Sequence, residues 1–81
     1  MPRLKVLSGE DVIKIFKTFG FTISGQKGSH IKLARLLKNN VKQSVTIPNH
    51  KEIDRGTLKA IIRQASKYIS EEELKNQFYA D

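Results

Sequence analysis

Apolar residues recur along the chain with two different periods, and the switches between them mark the elements. Val12, Ile13, Phe16 and Phe19 fall three and four apart, which is one face of a helix. Ser8 precedes this stripe and Asp11 follows it by three, the spacing of a capping box. Leu7 and Val12 occupy the flanking staple positions, and Gly20 suits the left-handed residue that ends such a helix. Phe21-Thr22-Ile23-Ser24 then alternates apolar and polar, as a half-buried strand does. Gln26-Lys27-Gly28 reads as a three-residue hairpin loop with Gly28 at the left-handed position. A second strand runs from Ser29 to about Leu36, with Ile31 and Leu33 inward. After a turn at Lys38-Asn39-Asn40, a third runs from Val41 to Ile47, with Val45 and Ile47 inward, and Pro48 ends it. Helical spacing returns from Gly56 to about Ser66, where Leu58, Ile61, Ile62 and Ala65 form the apolar stripe. A short last helix starts at Ser70, with Glu73 completing a second capping box, Ile69 and Leu74 as staple, and Leu74 and Phe78 docking it.

The strand registers follow from keeping apolar residues on one face. Pairing Ile23 with Ile31 sets Phe21 opposite Leu33, and pairing Ile31 with Ile47 sets Leu33 opposite Val45. The other face then carries Thr22, Ser24, His30, Lys32, Lys42, Ser44 and Thr46. Both long helices are amphipathic, so they should cover the apolar face of the sheet. The expected fold is α+β: α-β-β-β-α with a short C-terminal helix, and a three-stranded antiparallel sheet with its helices on one face. That layout is similar to the double-stranded-RNA-binding domain, a likeness of fold that by itself says little about function.

Size and composition narrow the functions available. With 81 residues the chain is read as a single domain, residues 1–81, with one small core and an open active surface suited to a polymer. It has no cysteine, which removes disulfides, a thiol nucleophile and cysteine-based zinc sites. The apolar run in Met1–Leu7 is too short for a signal peptide, and no stretch approaches the roughly 20 apolar residues of a membrane span. A cytoplasmic protein with no membrane association is expected. The net charge of +7 is concentrated: from Lys27 to Lys67, ten basic residues face only Glu52 and Asp54, a local +8. Such a block is the electrostatic footprint of a nucleic-acid or acidic partner, or else a solubilising surface.

Against that field, two histidines are the candidate chemistry. His30 follows the Gly28-Ser29 turn at a strand entrance, beside Lys32 on the polar face. An imidazole can take the 2′-hydroxyl proton of RNA while a neighbouring cation stabilises the phosphate oxygens. Three residues alone carry little information, and an exposed histidine without a role is their default meaning. His50 follows Pro48, which the register sets opposite His30. It is either the acid partner of His30 or a loop residue that is exposed or fixes the turn, the latter being the better reading of the residues alone. The histidines lie 20 residues apart and match no common zinc spacing, so no metal and no cofactor is expected. Glu71, Glu72 and Glu73 suit the first turn of a helix, and Arg55, Lys59, Arg63 and Lys67 read by default as a solvated helix face.

Taken together, these motifs resemble the HicA family of toxins, also described as mRNA interferases. Leu7-Ser8-Gly9 opens the first helix and Gly20-Phe21 closes it; Gly28-Ser29-His30 begins the second strand and Ile47-Pro48-Asn49-His50 ends the third. Gly56-Thr57-Leu58 begins the second helix, followed by Ile61-Ile62-Arg63-Gln64-Ala65. The resemblance spans nearly the whole chain. It implies a double-stranded-RNA-binding-domain-like fold, endoribonuclease activity on mRNA, and neutralisation by a HicB-type antitoxin. It also implies that the family's catalytic histidine maps to His30.

The resulting expectation is the toxin of a toxin–antitoxin pair, a metal-independent endoribonuclease. His30 is its catalytic residue and His50 a catalytic or structural one. Lys27, Ser29, Lys32, Lys42, Thr46 and Lys51 are the expected RNA contacts. The substrate is mRNA, and a HicB-type antitoxin is expected to cover the active face. The alternatives are a non-catalytic RNA-binding module and a basic module that docks an acidic protein.

Overall fold

The computed structural model describes residues 2–81; Met1 lies outside them. The first helix, α1 (Gly9–Thr18), is followed by three antiparallel strands, β2 (Thr22–Lys27), β3 (His30–Leu36) and β4 (Lys42–Pro48). Then come α2 (Arg55–Ala65) and α3 (Glu71–Phe78). Two short strands, β1 (Arg3–Leu4) and β5 (Tyr79–Ala80), pair antiparallel and join the two ends of the chain. The main sheet has the order β2-β3-β4, with its helices on one face, the double-stranded-RNA-binding-domain-like arrangement.

The helix signals work as read, with small differences. At α1, Ser8 accepts from the Asp11 amide and the Asp11 carboxylate accepts from the Ser8 amide, both at 3.0 Å, so the capping box is complete. Gly20 takes φ +89°, the left-handed conformation that ends the helix. At α3 only half the expected box forms. Ser70 Oγ accepts from the Glu73 amide at 3.2 Å, and Glu73 is exposed without the return bond. The cap of α2 is Asp54, whose carboxylate accepts from the Thr57 amide.

The core lies between the helices and one face of the sheet. Phe16, Phe21 and Phe78 are its largest fully buried residues, and Phe16 meets Phe21 edge-on at 5.4 Å between centroids. Leu33, Val45 and Ile47 contribute from the sheet, Leu58, Ile61 and Ala65 from α2, and Leu74 from α3. The expected pairing of β3 with β4 is present, with Ile31 opposite Ile47, Leu33 opposite Val45, and His30 opposite Pro48.

The β2–β3 register is not as expected. Ile23 pairs with Leu33 rather than Ile31, and the ladder shifts between Ile23 and Gly25. Ser24 is the extra residue of this bulge, and its hydroxyl reaches back to the Lys32 carbonyl at 3.4 Å. The bulge carries β2 on to Lys27, opposite His30, so the hairpin loop is the two residues Gly28-Ser29 and not Gln26-Lys27-Gly28. Gly28 has φ +59° and Ser29 does not, as a type II′ turn requires. Ile23 was expected inside, yet it is 51% exposed, because β2 is the sheet edge that the helices do not cover.

Candidate functional site

Three motifs that are far apart in sequence are stitched together by backbone hydrogen bonds. The Asn49 amide donates to the Ser29 carbonyl at 2.6 Å, tying the Pro48-Asn49-His50 segment to the turn that leads into His30. The Gly9 amide donates to the His50 carbonyl at 2.8 Å, and the Ile53 amide to the Leu7 carbonyl at 2.9 Å. The His50 amide donates to the Pro48 carbonyl, closing a tight turn about Asn49. Gly9 permits this approach. A Cβ there would lie 2.6 Å from the Pro48 carbonyl oxygen and 2.7 Å from the Asn49 Cα, both backbone atoms that cannot rotate aside. The backbone that carries His50 is therefore braced by the first turn of α1 and by the β2–β3 turn.

A groove of about 420 Å³ runs between the outer edge of β4 and α2. His30, Thr46, Pro48 and His50 line its sheet side, and Asp54, Thr57, Ala60, Ile61 and Gln64 line its helix side. Both histidines are exposed. Pro48 is tolerated in β4 because an edge strand leaves its missing amide without a ladder partner. Thus the structure brings His30 and His50 to one open groove.

Of the six expected RNA contacts, four lie around His30. Lys27 is its cross-strand partner, Ser29 precedes it, and Lys32 lies two residues on, opposite Thr46. Lys51 is exposed in the loop after His50, beside Ser8 and Glu10. Thr46 is in the groove itself. Lys42 starts β4, opposite Leu36. It lies six positions before Pro48, about 20 Å along the strand, so the fold does not bring it to the histidines.

One member of the basic block is partly buried and bonded within the fold. Arg35 donates from Nε to Gln43 Oε1 at 2.6 Å, from Nη1 to the Phe19 carbonyl at 2.8 Å, and from Nη2 to the Tyr68 carbonyl at 3.1 Å. Its guanidinium also sits 4.9 Å from the Phe21 ring centroid. It thereby closes off the α1 C-cap carbonyl and the turn after α2, groups that helix ends leave unpaired. Charge counting missed this role. The only sequence signal was a charged residue at an inward-facing position of β3.

Asp54 matters to the groove as well as to α2. Its Oδ1 accepts from the Thr57 hydroxyl at 2.7 Å and its Oδ2 from the Thr57 amide at 3.0 Å. These bonds, the hydroxyl one foremost, hold its carboxyl below the usual carboxylate range. Asp11 is lowered in the same way by the backbone and side chain of Ser8. The lone pairs left on Asp54 are acceptors only, on the helix side of the groove.

Fold and site together define a small basic α+β domain of double-stranded-RNA-binding-domain type with a histidine-lined groove at one sheet edge. Residues 9–66 match the family described as HicA toxin of bacterial toxin-antitoxin, and the chain belongs to that family. No curated protein and no solved structure matches it. Membership carries a general role, that of an RNA-interacting toxin of a toxin–antitoxin pair. Among the described residues, no helix is long and apolar enough to cross a membrane.

Proposed function

We propose that this chain is an endoribonuclease that cuts mRNA at the β4–α2 groove, with His30 as general base. The observation that carries this reading is the convergence of His30 and His50 on one groove beside Lys27, Lys32 and Thr46. His30 takes the proton of a 2′-hydroxyl, the 2′-oxygen bonds to phosphorus, and the bond to the 5′-oxygen breaks. The 5′-oxygen leaves with a proton from His50. Lys27 and Lys32 face the charge that builds on the non-bridging oxygens. The products are a 2′,3′-cyclic phosphate and a free 5′-hydroxyl. The basic face holds the backbone without reading sequence, and it draws the substrate in.

The natural inhibitor in this reading is a HicB-type antitoxin that lays an acidic surface over His30 and the adjacent polar face. An open groove with no lid is most simply blocked by occlusion, which also cancels the attracting field. The site of action is the cytoplasm, where mRNA is.

The chemistry is tested with a short RNA and the same RNA carrying one 2′-deoxy sugar at the cleavage position. Cleavage of the first in EDTA, with a cyclic phosphate end and none of the second, is expected. Cleavage of the deoxy substrate, or an absolute need for a divalent ion, contradicts the mechanism. RNA binding without cleavage under any condition would favour the non-catalytic binding module instead.

A further inference from the structure

The basic stripe of α2, Arg55, Lys59, Arg63 and Lys67, reads in sequence as a solvated helix face. The structure gives its two middle members a more definite setting. Lys59 and Arg63 line a second groove, of about 380 Å³, between α2 and α3. Lys75 joins them from α3, so three exposed cations share the groove with one carboxylate, that of Glu71. Between the charges lies apolar surface: half-buried Ile62, buried Leu74 and the half-buried ring of Tyr79. Apolar surface framed by an excess of positive charge is more than a solvating face needs.

This groove is the neighbour of the histidine groove. Ala60, Ile61 and Gln64 line the histidine side, and Lys59, Ile62 and Arg63 the other. At about 3.6 residues per turn the two sets lie on opposite flanks of α2, so one helix width, about 10–12 Å, separates the grooves. Gly56 and Ala60, one turn apart and both exposed, keep the ridge between them low. Among the described residues, no lysine or arginine lines the histidine groove itself. Charge that holds a strand there must stand beside it: Lys27 and Lys32 on the sheet, and the α2–α3 groove across the helix.

We infer that the α2–α3 groove is a second anchor for the same single-stranded RNA, holding its phosphates on the far side of α2 from the cut. This rests on the RNA reading above and extends the substrate from one scissile step to a strand of several nucleotides. Lys59 and Arg63 are about 6 Å apart along the helix axis and can serve neighbouring phosphates. Arg63 offers a planar fork of donors, Lys59 and Lys75 point charges. Tyr79 gives a base an aromatic surface, as single-strand binding modules do. A strand stacked at about 3.4 Å per nucleotide crosses α2 in about three or four nucleotides. An acidic peptide would satisfy the same charges, but it gives no reason for the groove to adjoin the histidines across a low ridge.

The test uses single-stranded oligouridylates with 2′-fluoro sugars, which lack the attacking hydroxyl, in lengths of about 4 and about 12 nucleotides. The wild-type chain should bind one long strand per chain, with a salt slope steeper than the short strand's by about 2, as three further cations imply. Lys59→Gln combined with Arg63→Gln alters two exposed side chains and should leave the fold intact. It should weaken the long strand about tenfold and reduce its slope by about 1.4. Equal slopes for the two lengths, or unchanged affinity in the folded double variant, would overturn the inference and leave the RNA reading standing on Lys27 and Lys32. Two long strands per chain would also overturn it, since the grooves would then be separate sites. Polyglutamate that binds more tightly than RNA, and loses affinity in the double variant, would assign the groove to an acidic protein instead. Binding of neither length would remove the RNA reading itself.

Discussion

At the scale of single residues, the fold depends on a few that composition treats as ordinary. Gly9 is one. A β-carbon there must push the Pro48-Asn49 backbone away, since the nearest atoms are 2.6 and 2.7 Å off. Gly9→Ala should cost about 1–3 kcal/mol, as overpacking does. It should also lower RNA cleavage by more than the folded fraction falls, because the displaced segment carries His50; denaturant melts and cleavage rates on the same samples check both. Arg35 is another. Arg35→Lys keeps the charge but not the fork that serves Gln43, Phe19 and Tyr68. It should destabilise by about 2–4 kcal/mol. The slope of log affinity on log salt should stay put, whereas Lys32→Ala should shift it by about 0.7.

These two residues also show where reading the sequence stops. The motif Gly28-Ser29-His30 and its partner Ile47-Pro48-Asn49-His50 were legible, and their meeting at one sheet end follows from a register that alternation alone predicts. Nothing local in Leu7-Ser8-Gly9 says that its glycine will lie against Pro48. That contact depends on how α1 crosses the sheet. Arg35 carries the same one-letter signal whether it is solvated or bridging two carbonyls.

At the scale of elements, the caps set the acid limit of the fold. The carboxyls of Asp11 and Asp54 are both lowered by hydrogen bonds to their own helix starts. Folding therefore favours their ionised forms. Their contribution is full above the ordinary carboxylate pKa of about 4, and it is lost as pH falls through the lowered folded values. Melting temperature should thus drop as pH falls below about 4. Asp54→Asn should flatten part of that drop while retaining the cap; an unchanged pH dependence in this variant would assign the loss to other groups. The helices were legible because caps and stripes are local. The β2–β3 pairing was misjudged because one bulge at Ser24 shifts every later partner, and period-two alternation does not register an extra residue. The short β1–β5 pair was missed for a related reason. Two-residue strands have no periodicity, and only the meeting of the chain ends makes them.

At the scale of the whole molecule, charge and chemistry occupy different places. In the proposed function the basic face collects RNA and the histidine groove acts on it, whereas Arg35 holds the layers together. A partner of the antitoxin kind should lower RNA affinity and cleavage in parallel by covering both. A complex that leaves His30 accessible would contradict direct occlusion.

The most direct test of the central claim compares wild type with His30→Ala on one single-stranded RNA. His30 is exposed and outside the core, so the variant should melt at nearly the wild-type temperature. It should bind the RNA with the same salt slope and fail to cut it. Undiminished cleavage by a folded His30→Ala chain would contradict the account.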